Sequence, residues 1–295
     1  MNSRGFAIFA LFMVQVLYGL NYTFAKIVMN ENYVKPFALT ILRVGGAAIL
    51  FWLVSLWLPK EKIDKKDYIK FFVAALFGVG INMLFFLKGV ELTTPIHASA
   101  IMTITPVIIL ILSALILKEK VTALKITGVA LAFSGALALT LFGDSVRAAD
   151  NIILGNTFIL LNALFYSGYV IIIKQLTAKY HPFTFIKWLF LFGFFMVLPF
   201  GYNELQEVQW QSFTPYITFS VAFVVVGATF GTYLLNPMAL NRLKASTVGV
   251  FIYLQPVIAG LFALAMGADR IDALKILAMV LIFSGVYLVT LKPKK

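Results

Sequence analysis

The sequence predicts an all-α integral membrane protein whose ten transmembrane helices form two inverted five-helix repeats. Composition is the first observation that favours this fold class. Hydrophobic residues make up 61% of the 295 residues and charged residues only 12%, far from the balance of soluble domains. The second observation is that the latter half of the chain repeats the first half at an offset of 150 residues. The predicted repeats are residues 1–148 and 149–295.

Ten charge-free windows mark the predicted helices. Most are close to the roughly 20 residues that a helix needs to cross the bilayer core. The second helix is expected to begin near Pro36, with Arg43 inside it. In lipid each segment must satisfy its own backbone hydrogen bonds, and none of the runs alternates as a barrel strand would, so the windows predict helices. The windows are 5–25, 44–59, 71–87, 92–117, 126–143, 151–173, 188–203, 208–241, 245–268 and 276–291.

The internal repeat is clearest near the end of each half. Residues 106–141 and 256–291 align without a gap, and 13 of the 36 positions are identical, including Pro106 with Pro256 and the shared ALKI and FSG blocks. Five predicted helices in each repeat is an odd number, so the second repeat runs upside down relative to the first. The charges of the equivalent loops differ as this inversion requires, because KEKVTALKI in the first repeat corresponds to the less basic ADRIDALKI in the second.

The distribution of charge predicts the orientation. With the N-terminus inside, 17 of the 24 basic residues fall in inside segments, whereas eight of the 12 acidic residues fall outside. This bias predicts a multi-pass protein of the cell (inner) membrane with both termini in the cytoplasm. The net charge of +12 therefore reflects topology and not nucleic-acid binding. The chain has no cysteine, which excludes disulfides and thiolate metal sites, and we expect no cofactor and no metal.

Five-plus-five helices with repeated ALKI and FSG blocks resemble the drug/metabolite transporter superfamily. Within it, the chain resembles the ten-helix EamA-type transporters over essentially its whole length. YGLNYTFAKI, PFALTILR and ELTTPIHASAIMTITPVIILILSALILKEKVT add to the likeness. The resemblance implies a basket of helices around a central cavity, with the fifth and tenth helices peripheral. It implies export of amino acids or other small metabolites, with sugars and nucleotide sugars as further cargoes, and it does not imply one substrate.

Arg43 and His97 are the ionisable residues that the function could use. Arg43 lies about two turns inside the second helix, where a cation is unfavourable unless it faces protein or water. It is either the counter-charge for a substrate carboxylate or a structural arginine that bonds neighbouring carbonyl groups. His97 lies at the start of the fourth helix and either titrates during transport or simply forms a local hydrogen bond.

Polar and aromatic side chains within the apolar windows complete the predicted binding site. Amides and hydroxyls at this depth either join helices or face a cavity. Tyrosine and tryptophan combine a flat apolar body with a polar group. The candidate substrate-binding residues are Asn21, Tyr22, Arg43, Asn82, His97, Ser99, Thr103, Tyr166, Tyr169, Trp188, Tyr233, Asn236 and Tyr253.

Three prolines are predicted to bend helices beside the cavity. Pro106 and Pro256 occupy equivalent places in the fourth and ninth helices, and Pro237 follows Asn236 in the eighth. Proline removes a backbone hydrogen bond, so these positions are either hinges of moving helices or simple packing bends.

The predicted function is secondary transport, most simply export of amino acids or related small metabolites by alternating access. A facilitator or exchanger for sugars, nucleotide derivatives or other metabolites is the alternative. No Asp or Glu lies deep in any window, which disfavours cationic drugs and favours neutral, zwitterionic or weakly anionic solutes. A membrane enzyme is disfavoured, because the chain has no H-E-x-x-H, no G-x-S-x-G and no buried carboxylate pair, and a scaffold would carry a soluble domain. The expected partners are a small-molecule substrate and the lipid bilayer, and the expected state is a monomer or weak dimer.

Overall fold

The computed structural model describes residues 4–30, 33–58, 60–92, 101–141, 151–265 and 273–291, and within these ranges the chain is helical with short connections and no strand. Two stretches of π-helix, Leu76–Gly80 and Phe223–Gly231, interrupt longer helices, and Trp210–Ser212 is a short 3₁₀ turn. The α-helices are α1 (Arg4–Asn30), α2 (Pro36–Ser55), α3 (Asp67–Ala75), α4 (Ile81–Leu92), α5 (Thr105–Leu115), α6 (Ala123–Leu141), α7 (Ile152–Thr177), α8 (Pro182–Gln206), α9 (Pro215–Ala222), α10 (Thr232–Leu240), α11 (Ala245–Phe251), α12 (Leu254–Ala265) and α13 (Ala273–Thr290).

The chain is a multi-pass membrane protein. Within the described ranges, six helical stretches are long and apolar enough to cross a bilayer, and four shorter apolar helices accompany them. Large apolar side chains also point away from the protein, as Leu115, Ile153 and Phe195 do with exposed fractions of 72%, 82% and 63%. Such an outer surface suits lipid, because water would not favour so much exposed hydrocarbon.

Proline marks the start of three of these helices. α2 begins at Pro36, α8 at Pro182 and α9 at Pro215, each after a residue with extended backbone. Proline fits the first turn of a helix, where no backbone donor is lost and the ring fixes a helical φ. The predicted start of the second helix at Pro36 is confirmed, and Arg43 lies two turns further on.

The pair α2 and α8 is joined at both ends by glutamates. At the start of α2, the Glu204 carboxylate accepts hydrogen bonds from the backbone N–H groups of Phe37 at 2.8 Å and Ala38 at 3.1 Å. At the start of α8, Glu61 accepts the N–H of His181 at 3.0 Å. Glu204 lies in the last turn of α8 and Glu61 lies after the end of α2, so the start of each helix is capped by a carboxylate from the end of the other. The two helices therefore run in opposite directions.

The helices α6 and α13 pack closely through glycine. A Cβ atom added to Gly285 would lie 2.4 Å from the Gly128 carbonyl oxygen, and one added to Gly135 would lie 2.6 Å from the Ala278 carbonyl oxygen. Only glycine allows backbones to approach this closely. From the first contact to the second, α6 advances by seven residues while α13 goes back by seven, so the two helices are antiparallel.

Ion pairs connect the segments beyond the helix ends. Lys179 follows α7 and bonds to the carboxylates of Asp64 and Asp67, and Tyr180 donates to Asp67 at 2.7 Å. These carboxylates, Asp64 first, raise the pKa of the Lys179 ammonium group above its usual value. At the opposite end, a bond to Glu207 raises the pKa of Lys35. The Lys35–Glu207 and Lys179–Asp64 pairs are exposed, so they orient segments more than they stabilise the fold, whereas the Asp67 carboxylate is buried.

Candidate functional site

A cavity of about 130 Å³ lies among helices from both halves of the chain. Its walls come from α1, α2, α4, α5, α7, α10 and α12, with Met102 from the helical residues before the turn at 103–104 and Ile252 from the turn between α11 and α12. The lining mixes one cation, several amides and hydroxyls, and apolar or aromatic groups. No carboxylate is among the described residues that form it.

Five of the predicted binding residues meet in this cavity. Asn21 comes from α1, Arg43 from α2, Asn82 from α4, Tyr166 from α7 and Tyr233 from α10. They are far apart in sequence, and the fold brings them to one place because their five helices surround the same cavity.

Four other candidates lie behind the cavity wall. Tyr169 is buried, and its ring centroid is 5.9 Å from that of Tyr166. Asn236 donates to the Tyr166 hydroxyl at 3.4 Å, so it acts on the cavity through that tyrosine. Thr103 and Tyr253 are also buried and are absent from the lining.

Trp188 belongs to a separate aromatic cluster near the start of α8. Its ring centroid is 5.1 Å from those of Trp52 and Tyr68, both in T-shaped geometry. The Lys187 ammonium group lies 4.8 Å from the Trp52 ring centroid. An aromatic ring with a polar group suits a helix interface as well as a binding site, and here it packs between helices. The side chain of Tyr22, together with His97 and Ser99, lies outside the described residues.

Two of the three predicted prolines lie directly after breaks in helices near the cavity. α5 begins at Thr105 with Pro106 in its first turn, directly after a turn at 103–104. In the other half, α11 ends at Phe251 and α12 begins at Leu254, two residues before Pro256. The two helices are therefore broken just before their prolines. Pro237 lies inside α10.

Nine lining residues were not predicted from the sequence. The two with the clearest signal were Asn162 and Gln255, because each is an amide within an apolar window. Asn162 exchanges two hydrogen bonds with Asn82, at 3.2 Å and 2.7 Å, and so ties α7 to α4. The others have hydroxyl or apolar side chains that give no distinctive signal. The unpredicted lining residues are Tyr18, Thr40, Met83, Phe86, Met102, Thr105, Asn162, Ile252 and Gln255.

Arg43 is held by a side chain from a π-helical stretch. Its Nε donates to the Thr229 hydroxyl at 3.0 Å, and that hydroxyl donates to the Val224 carbonyl, five residues back, at 2.8 Å. Within the described ranges no carboxylate forms an ion pair with Arg43, and no hydrogen-bond partner is found for its terminal nitrogens. A guanidinium group in this position is suited to an anion.

The other π-helical stretch, Leu76–Gly80, is bonded to Tyr233, which lines the cavity. The Tyr233 hydroxyl donates to the Gly78 carbonyl oxygen at 2.6 Å, and Gly78 lies within Leu76–Gly80. A π-turn adds a residue to the helix and leaves carbonyl groups without their usual partners, which is why such turns often occur at functional sites. Here one π-helical stretch orients a tyrosine and the other an arginine.

A family model for EamA-like transporters matches residues 5–141 and again residues 153–291. The chain belongs to the EamA-like transporter family. An uncharacterized transporter of Archaeoglobus fulgidus is 26% identical over 93% of this chain and 95% of that protein. A WAT1-related protein of Arabidopsis thaliana is 23% identical over 96% of this chain and 84% of its own length. A solved crystal structure covers 98% of this chain and 97% of that chain with a TM-score of 0.79 at 18% identity, which shows a shared fold alone.

Two buried acceptors in this EamA-like cavity lack a donor. The amide oxygen of Asn21 and the hydroxyl of Thr105 have no hydrogen-bond partner among the described residues, although both are buried. A buried polar atom without a partner is destabilising by about 1–3 kcal/mol, so a ligand that donates hydrogen bonds would relieve it. The cavity thus offers a cation on one side chain and unused acceptors on two others.

Proposed function

We propose that this chain is a secondary transporter that exports amino acids or related small metabolites by alternating access. The observation that carries the proposal is Arg43, a cation that lines a membrane cavity and has no carboxylate partner among the described residues. A solute carboxylate would supply the missing counter-charge. Membership of a transporter family, shared with relatives named as uncharacterized transporters, supports transport but does not name a cargo.

The proposed solute also donates hydrogen bonds. Asn21 and Thr105 present acceptors to the cavity, and an ammonium or amide group would satisfy them. Met83, Phe86 and Tyr166 offer an apolar and aromatic wall for the rest of the solute. A small zwitterion with an apolar body matches these three features, and a sugar would leave the charge of Arg43 uncompensated.

We further propose the ten-helix architecture with inverted repeats at 1–148 and 149–295. Three findings support it: one family model matches each half, α2 and α8 cap each other in opposite directions, and α6 and α13 are antiparallel. Inverted repeats suit alternating access, because each half can adopt the conformation of the other. The proposed setting is the cell (inner) membrane, with both termini in the cytoplasm and a monomer or weak dimer as the working unit.

A flux assay in liposomes tests the proposal. Purified protein is reconstituted and supplied with a panel of labelled amino acids, sugars and nucleotide derivatives, with protein-free liposomes as the control. We expect saturable movement of at least one carboxylate-bearing metabolite, inhibited by related zwitterions. Transport of sugars or nucleotide derivatives alone would favour the alternative cargo, and no flux across the whole panel would contradict a transport function.

A further inference from the structure

A compact cluster joins the connection after α5 to the first residues of α11. Glu119 accepts hydrogen bonds from the Ala245 backbone N–H at 2.7 Å and from the Ser246 hydroxyl at 2.5 Å. Lys125, in the first turn of α6, donates to Ser246 at 2.5 Å and lies 3.3 Å from Glu119. We call Glu119, Lys125 and Ser246 the end cluster.

The end cluster is buried and joins the two halves of the chain. The side chains of Glu119 and Lys125 are each 8% exposed. Both belong to the first half, whereas Ala245 and Ser246 belong to the second. Removing one partner from a buried, hydrogen-bonded ion pair is strongly destabilising, since the remaining charge loses its compensation. The cluster is therefore an effective connection between the halves.

The end cluster lies beyond the cavity, at the far end of two packed helices. α5 begins at Thr105, which lines the cavity, and leads away toward Glu119 over 11 residues, or about 16 Å. α11 begins at the cluster and leads back to Ile252, which also lines the cavity. The helices touch midway, where a Cβ added to Gly249 would lie 3.1 Å from Ile109. A path from the cavity to this end requires α5 and α11 to separate and the cluster to break.

The repeat does not supply the same cluster twice. At the offset of 150 residues, Glu119 corresponds to Asp269 and Lys125 to Lys275, but Ala245 corresponds to Pro95 and Ser246 to Ile96. Proline has no backbone N–H and isoleucine has no hydroxyl. Pro95, Ile96 and Asp269 lie outside the described residues, so the comparison rests on residue type. In sequence, the counterparts of Ala245 and Ser246 therefore lack both donors that Glu119 uses.

We propose that the end cluster is a gate that holds the cavity closed at this end, and that its hydrogen bonds, whose two donors have no counterpart in the sequence of the first half, make this closed conformation the resting one. The inference rests on the alternating access of the proposed function. In a protein made of two similar halves, the two conformations would otherwise be close in free energy, and a few hydrogen bonds present in only one of them decide the population.

Spin-label distances test the gate directly. The chain has no native cysteine, so Lys120→Cys and Arg242→Cys, both exposed and close in sequence to the cluster, one in each half of the chain, can carry one label each. In vesicles without solute we expect one short distance. Glu119→Gln or Ser246→Ala should raise the ratio of long to short distances about tenfold. Glu207→Gln, the same change at an exposed site outside the cluster, should leave the distances unaltered.

Two results would overturn the proposal. If Ser246→Ala, the milder change, keeps the single short distance in folded protein, the cluster is not a gate, whatever Glu119→Gln does. The double change Pro95→Ala with Ile96→Ser gives the first half the donors of the second and should increase the long distance; no increase would refute the asymmetry. Because these measurements use no solute, their failure is distinguishable from failure of the flux assay.

Discussion

At the scale of single residues, Arg43 and Thr229 form the most specific contact of the cavity. The bond from Nε fixes the plane of the guanidinium group, and Thr229 is itself held by the Val224 carbonyl. The charge and its orientation thus come from different residues, on α2 and on the π-helical stretch Phe223–Gly231. Separate substitutions can therefore test them one at a time.

Arg43→Gln should lower kcat/KM for carboxylate solutes by about 10- to 150-fold, because a hydrogen bond to a charged group contributes about 1.5–3 kcal/mol. Thr229→Val keeps the charge and the shape but removes the acceptor, so we expect a decrease of about three- to tenfold. Initial rates in proteoliposomes give both values. Equal kinetics for Arg43→Gln and the unaltered protein, at equal folded yield, would contradict the counter-charge role.

Residue type alone located part of the cavity. Asn21, Arg43 and Asn82 could be predicted because a charge or amide is unfavourable in an apolar window unless it has a role. Trp188 could not be separated from them, because an aromatic group suits an interface and a cavity equally well, and it packs against Trp52. Thr105 gives no signal of its own, since a threonine can bond back to its own helix.

At the scale of helices, composition predicts where the helices lie but not where they depart from α-helical geometry. The apolar windows and the proline at Pro36 match the observed helices, because the bilayer requires length and hydrophobicity. The π-helical stretches at Leu76–Gly80 and Phe223–Gly231 could not be predicted. A π-helical turn has no characteristic residue types that a sequence could reveal. It is stabilised by tertiary contacts such as the hydrogen bond from Tyr233 to Gly78.

The close contact between α6 and α13 predicts which glycines are essential. Gly285→Ala places a Cβ 2.4 Å from the backbone of Gly128, which must move, so we expect a loss of about 1–3 kcal/mol and a lower Tm in detergent. Gly227→Ala is the matched control, because the nearest neighbours of the added Cβ, a Leu17 methyl group and the Phe223 ring, would lie at an ordinary 3.4 Å. A similar Tm for both variants would show that the backbones can separate at little cost.

At the scale of the whole molecule, the orientation in the membrane is predicted by the charged residues of the connections between helices. Most basic residues fall on one side of the predicted helices, and this bias predicts which face meets the cytoplasm. The connection between α2 and α3 carries Lys65 on the predicted inner side, and the connection between α8 and α9 carries Gln209 on the outer side; both residues are exposed.

Labelling of single cysteines in intact cells tests this orientation. We expect Gln209→Cys to react with a membrane-impermeant maleimide, and Lys65→Cys to react only after the cells are opened. The protein's lack of native cysteine makes the signal specific, and the unsubstituted chain is the background control. The reverse pattern would mean that the basic residues face outward. The end cluster lies on the same side as Lys65 in the predicted topology, so it would then close the cavity toward the exterior. Export would then begin from the resting conformation that is open to the cytoplasm, and the gate would act on release instead of loading.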